Sequence, residues 1–416
     1  MNEAVAPGRP GSGASLAALA ALNFFLADAR DGLGPFLDGF LATNGWSPFA
    51  LGIIATAGGI LGMAATPLFG ALVDGSIYKR TLILVPVVLV TAAALLTLGL
   101  PSVAVVVGGQ TVTALAGAVI GPALIGLTLG LVGEAAFPGQ VSRNEAWNHA
   151  GNVVSLAGVY LAAVLFGLPG IVGLMILTAL GTVVATLAID PRRIDHAVAR
   201  GLAVDADEPG PSGYDVLVRT PGLVLLGVIL MVFHFGNAPM SRLIAQQYSI
   251  ELGTPFRTTA IITGVAQLTM IASALLAPQL IRRFGLAAAF LVALTALPIR
   301  GAIAGGVPGF WAIYPVQFLD GLGAGLLGIV TPIAAERILS GTGRFNVGLA
   351  AVMTLQGIGA STSNLLAGWL AERGGYGLAH WVHGGVAVVA LALFLGWRHK
   401  VAGDEPAVAE QAPAPA

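Results

Sequence analysis

Cysteine is absent from all 416 residues, which removes disulfides, thiolate metal sites and a cysteine nucleophile from consideration. Charge is scarce too. Asp, Glu, Lys and Arg make up 9% of the chain, against about 25% in a soluble domain, and the net charge of −1 gives no footing for nucleic-acid binding. No Walker A lysine motif is present, so ATP hydrolysis by this chain is not expected, and no soluble-enzyme pattern emerges. The first 15 residues hold one Arg with Gly and Pro but no apolar core followed by a cleavage site. They read as a short cytosolic tail rather than a signal peptide.

What the chain has is apolar length. It is 56% hydrophobic with a mean hydropathy of +0.88, and apolar stretches of about 20 residues, enough to cross a bilayer, recur throughout. Its 58 Gly and 24 Pro suit membrane helices, which use small residues for close approach and tolerate Pro where neighbours satisfy the backbone. The expected fold is an all-α membrane protein with 12 spans, at 16–41, 48–73, 81–100, 103–131, 144–166, 169–189, 221–246, 257–281, 286–305, 309–334, 346–371 and 378–397. The expected domains are a cytosolic tail at 1–15, a six-helix bundle at 16–189, a cytosolic linker at 190–220, a second six-helix bundle at 221–397 and a cytosolic tail at 398–416.

Basic residues set the orientation. Of 19 Lys and Arg, 14 fall on the side of the termini and linker, while Arg257 and Arg373 fall opposite and Arg30, Arg242 and Arg300 lie within spans. Both termini are therefore expected in the cytosol, with the protein multi-pass in the inner (plasma) membrane. The halves also resemble each other. A shift of 207 carries Pro48-Phe49 onto Pro255-Phe256, Ile54 onto Ile261, Thr56 onto Thr263 and Gln110 onto Gln317. That pattern suggests parallel repeats with a substrate site between them at mid-bilayer.

The first span carries charge at a depth where each ionisable group costs a few kcal/mol. At about 100° per residue, Asn23, Arg30, Asp31, Gly34 and Asp38 share one sector with Asp28 at its edge, while Leu22, Phe25, Leu33, Phe36 and Phe40 take the other side. One face then suits water and solute. A structural ion pair locking the helix to its neighbours is the alternative.

After the second span comes GALVDGSIYKR, with Gly70, Asp74, Lys79 and Arg80. This resembles the G-x-L-x-D-x-x-x-x-[KR]-[KR] signature of the major facilitator superfamily, and with twelve spans and a central loop the resemblance covers essentially Ser15–Trp397. The resemblance implies that Gly70, Asp74, Lys79 and Arg80 form a cytoplasmic conformational latch; a topology signal is the other reading of the basic pair. The second half keeps only Arg282/Arg283 of it. Where many proton-coupled exporters of the family have an early Arg in the fourth helix, this chain has Gln110 and, by the repeat, Gln317, so that proton mechanism does not carry over.

Four further places could line a pathway. Asp320 lies about 16 Å from the outer face, near mid-membrane, and serves either as a proton carrier or in a salt bridge with Arg300 or Arg242. Glu145, Asn148, Asn152 and Ser155 share a helical face with His149 alongside. His234, Asn237 and Ser241 share another, followed by Arg242, a counter-charge for an anionic solute or for Asp31/Asp38. Gln356, Ser361, Thr362, Ser363 and Asn364 offer neutral hydrogen bonds. His380 and His383 lack a third ligand, so no metal and no cofactor is expected. The sequence thus points to a secondary active transporter moving a small polar, charged or amphipathic solute by alternating access, coupled to protons and monomeric. A multidrug or metabolite exporter of the same fold, or a non-transporting sensor or scaffold, are the alternatives.

Overall fold

The structure, a computed structural model, describes residues 13–196, 198–200, 220–339 and 345–403. The expected tails and linker fall largely on 1–12, 201–219 and 404–416, outside the described residues. Every element described is helical: α1 (Gly13–Ala29), α2 (Phe36–Thr43), α3 (Pro48–Gly75), α4 (Thr81–Gly99), α5 (Val103–Ala188), α6 (Pro221–Leu252), α7 (Pro255–Gly306), α8 (Ile313–Ile338) and α9 (Phe345–Ala402), with short 3-10 turns.

Among the described residues, eight stretches are long and apolar enough to cross a membrane, and three of them are broken inside by glycines with positive φ: Gly167, Gly285 and Gly375. Gly133 likewise parts 103–132 from 134–166. Glycine reaches this backbone region without the steric penalty other residues meet. Dividing those three stretches gives eleven of the expected spans, and α1 with α2 covers the remaining expected stretch, 16–41.

The continuous first helix expected over 16–41 is corrected. α1 ends at Ala29 and α2 starts at Phe36, because Gly32 (φ 61°) and Gly34 (φ 45°) turn left-handed and Pro35 supplies no N–H. The expected single polar face is therefore dispersed. Gly32 sits tightly, since a Cβ there would stand 3.1 Å from Val90 Cγ1. Gly32→Ala is expected to cost about 1–2 kcal/mol, read as a lowered unfolding temperature in detergent. Gly58→Ala on α3, where a Cβ would meet nothing within 4 Å, is expected to hold or raise it.

The chain divides into two compact units, Met1–Gly34 with Gly58–Pro209, and Pro35–Ala57 with Gly210–Ala416. In the first, Leu19, Leu22 and Leu26 of α1 pack with Ile83, Val87 and Val90 of α4 and Ile120, Ala123 and Leu127 of α5. These recur every three or four residues, so each helix gives one apolar stripe to the core. Thr182 and Thr186 hydroxyls donate to the carbonyls four residues back, which satisfies them inside an apolar span.

In the second unit, Leu226, Leu230 and Phe233 of α6 pack with Phe290 and Leu294 of α7, Val330 and Ala334 of α8, and Phe394 of α9. The stretch 35–57 joins this unit through particular contacts. Phe36 and Phe40 stack against Phe256 with ring centroids 6.0 and 5.8 Å apart. Thr56 Oγ1 donates to Ser361 O at 2.9 Å and accepts from Leu365 N–H at 3.0 Å, and Glu372 Oε2 accepts from Phe49 N–H at 3.3 Å at the start of α3.

Candidate functional site

The second unit builds its polar centre on Arg300, which is fully buried. A bare guanidinium there would be prohibitive, and two helices, α6 and α8, supply its four partners. Arg300 Nη1 donates to Asn237 Oδ1 at 2.6 Å and pairs with Asp320 Oδ1 at 2.9 Å, while Nη2 donates to Ser241 Oγ at 2.6 Å and Gln317 Oε1 at 3.0 Å. Asp320 also accepts from Asn237 Nδ2 at 3.2 Å and from Ser241 Oγ at 3.0 Å. Gln317 Nε2 donates to Ile262 O at 3.1 Å. Of the partners the sequence offered Asp320, the structure selects Arg300.

One residue beyond Ser241, Arg242 makes a bidentate pair with Asp38 of α2, Nε to Oδ2 at 2.5 Å and Nη2 to Oδ1 at 2.7 Å. The fork geometry fixes both side chains more firmly than a single contact does. Gln246 Nε2 adds a bond to Asp38 at 3.5 Å. Arg242, Gln246 and Asn364 also line a small cavity with Pro48, Leu51 and Gly368.

In the first unit, Asp28 at the end of α1 accepts from Ser155 Oγ and, at 2.8 Å, from Thr178 Oγ1. Its two oxygens thus tie α1 to both later segments of α5. Arg30 and Asp31 lie at the helix break, 3.6 Å apart and with side chains 42% and 57% exposed. They are the open charges of this unit's interrupted span, where local helix geometry no longer holds them against neighbours.

The remaining expected positions divide. Asn23 is buried and donates to Leu19 O at 2.8 Å, turning into its own helix. Gln110, Asn148 and Asn152 are half-buried on α5 and His149 is exposed. His234 is half-buried with Nδ1 3.0 Å from Leu230 O. Gln356 is half-buried, and Asn364 Nδ2 donates to Ala360 O at 2.9 Å. In the latch motif, Lys79 is buried with Nζ 2.8 Å from Val73 O, and Arg80 reaches Thr186 O and Leu187 O, each at 3.0 Å. Both cations thus sit on carbonyls at the C-terminal ends of helices, where the dipole favours them. The side-chain surroundings of Gly70 and Asp74 fall outside the described residues.

Sequence reasoning missed a second buried network in the first unit, where Gln140 Nε2 donates to Asn144 Oδ1 at 2.9 Å and Asn144 Nδ2 to Thr128 Oγ1 at 3.0 Å. The i,i+4 spacing of Gln140 and Asn144 was the available signal. Thr178, the second partner of Asp28, carried none, since a lone Thr in an apolar span is commonplace.

Twelve helical spans with ion pairs held inside them define a polytopic membrane protein. The chain belongs to the Major Facilitator Superfamily, whose family model matches residues 17–299. Two proteins described as uncharacterized MFS-type transporters, from two strains of Mycobacterium tuberculosis, are 38% identical over 387 residues, covering 91% of this chain and 91% of each relative. Among solved structures, a mutant of the nucleoside transporter NupG superposes with a TM-score of 0.75 at 14% identity, covering 92% of this chain and 99% of that one. A bacterial homologue of the iron transporter ferroportin, in an inward-facing state, gives 0.64 at 15% identity, covering 92% and 98%. At such identities the likeness establishes the fold.

Proposed function

We propose that this protein is a secondary active transporter that moves a small polar, charged or amphipathic solute across the plasma membrane by alternating access, driven by protons and acting as a monomer with both termini in the cytosol. The observation that carries the reading is the exposed Arg30–Asp31 pair at the interruption of the first span. Unwound backbone inside a crossing is tolerated only against protein or water, and a cation beside a carboxylate there suits the two ends of a zwitterionic or anionic solute. Asp31 and Asp320 are the proton carriers in this reading, with Asp28 holding α1 in place and Arg242 as a charge partner. Lys79 and Arg80, together with Gly70 and Asp74, form the cytoplasmic latch.

Asp31→Asn tests this directly. Wild type and variant are reconstituted in proteoliposomes under an inward proton gradient, with radiolabelled uridine and iron(II) as first probes, because two of the structural neighbours are described as a nucleoside transporter and a bacterial homologue of an iron transporter. Uptake by Asp31→Asn is expected to fall to that of empty vesicles while its unfolding temperature stays at the wild-type value. Full uptake by the variant would remove this carboxylate from the mechanism. A solute that binds the wild type but never enters sealed vesicles would favour a sensor instead.

A further inference from the structure

The second unit holds buried polar groups that the ion pairs do not use. His380 and His383 are fully buried on the last span, and Tyr376, one turn before His380, has a buried hydroxyl. Spaced at i, i+4 and i+7, the three share one helical face. Among the described residues, Tyr376 Oη, both ring nitrogens of His380 and Arg300 Nε have no hydrogen-bond partner. Buried polar atoms are nearly always bonded to protein or ordered water, so three on one turn of the last span, with a fourth on the helix packed against it, point to a common cause.

The packing brings these groups to one place. A Cβ on Gly301 would stand 3.0 Å from His380 O, so the helical step carrying Arg300 meets the step carrying His380. His380 lies within electrostatic reach of Arg300 and His383, and Tyr376 within reach of Asp38 and Glu251. On α6, His234 feels Asp320. His383 closes one end. Its Nδ1 lies 2.7 Å from Ala379 O, the Ser363 carbonyl lies against the ring, and Phe235 stacks on it at 6.2 Å. Tyr376 is thus within electrostatic reach of one ion pair of this unit, through Asp38, and His380 of the other, through Arg300.

We propose that this face of the last span is a buried hydration site, in which water molecules bound by Tyr376, His380 and Arg300 Nε give protons a path between the Arg242–Asp38 and Arg300–Asp320 pairs. Water suits the set chemically, because it both donates and accepts, as a phenol, an imidazole and a guanidinium N–H together require. In this proposal His380 exchanges protons with that water. The site deepens the transport reading by adding a proton path, and its hydration is measurable whether or not the chain moves a solute.

The test is water-edited solid-state NMR of the full chain in lipid nanodiscs, labelled with 15N-histidine and 15N-arginine. The ring nitrogens of His380 are expected to draw polarisation from water as the exposed His399 does. His380→Phe is expected to abolish the water contact of Arg300 Nε, and His380→Gln to retain it. If His380→Phe does not fold, the wild-type and His380→Gln spectra decide. A His380 with no water transfer while His399 is fully polarised overturns the proposal. A hydrated His380 in a protein whose Asp31→Asn variant transports normally would keep this site and remove the role given to Asp31; a dry His380 beside lost transport would do the reverse.

Discussion

Replacing Arg300 with Met is expected to destabilise the protein by about 3–5 kcal/mol, the usual consequence of removing one partner of a buried ion pair. The loss has two sources. Asp320, whose side chain is 15% exposed, keeps its bonds from Asn237 and Ser241 but loses the cation that offsets its desolvation. Gln317 Oε1 and Asn237 Oδ1 each lose a charge-assisted donor inside the span. Removing both charges, as Arg300→Met with Asp320→Leu, is expected to recover much of the stability, since apolar replacements of buried pairs are often neutral or better. Urea unfolding in detergent micelles, run as a double-mutant cycle, reads both effects. A single variant within about 1 kcal/mol of wild type would show that Arg300 does not offset the desolvation of Asp320.

Gly301→Val is expected to be at least as damaging. A Cβ at Gly301 would stand 2.6 Å from the Cα of Gly384 and 3.0 Å from His380 O, so the branched side chain meets backbone that has no rotamer to change. Overpacking a core costs about 1–3 kcal/mol where neighbours yield. Here two helices must part, and an effect above that range is expected, seen as loss of the monodisperse peak in size-exclusion chromatography. Gly385→Ala, one position beyond the contacted Gly384, where a Cβ would meet nothing within 4 Å, is the control and is expected to behave as wild type. Normal behaviour of Gly301→Val would mean that the glycine contact is not what sets the approach of these helices.

The fold was legible because each span is written in bulk: a run of apolar residues, a glycine or a charge at its end, and a basic bias on one side. The break in the first span was legible in principle, since Gly32, Gly34 and Pro35 crowd four positions. Helical periodicity read through them, and glycine is so common in this chain that it lost its value as a stop signal. The partner of Asp320 was narrowed to two arginines and no further. The choice of Arg300 depends on Asn237, Ser241 and Gln317 arriving from other helices, and no local spacing records that convergence. Tyr376 and His380 show the opposite case. Their i,i+4 relation is plain in the sequence, but what makes them notable is that both are buried with polar atoms unpartnered, which only packing determines.

The single-glycine breaks at Gly133, Gly167, Gly285 and Gly375 leave the chain almost no slack where one span hands over to the next. A hairpin with a long connector can absorb an extra residue, whereas here the surplus has nowhere to go but into the following helix. At 3.6 residues per turn, one residue inserted beside Gly133 would wind the helix that follows by about 100°. Ser155 would swing off Asp28, and the phase of the whole bundle would shift with it.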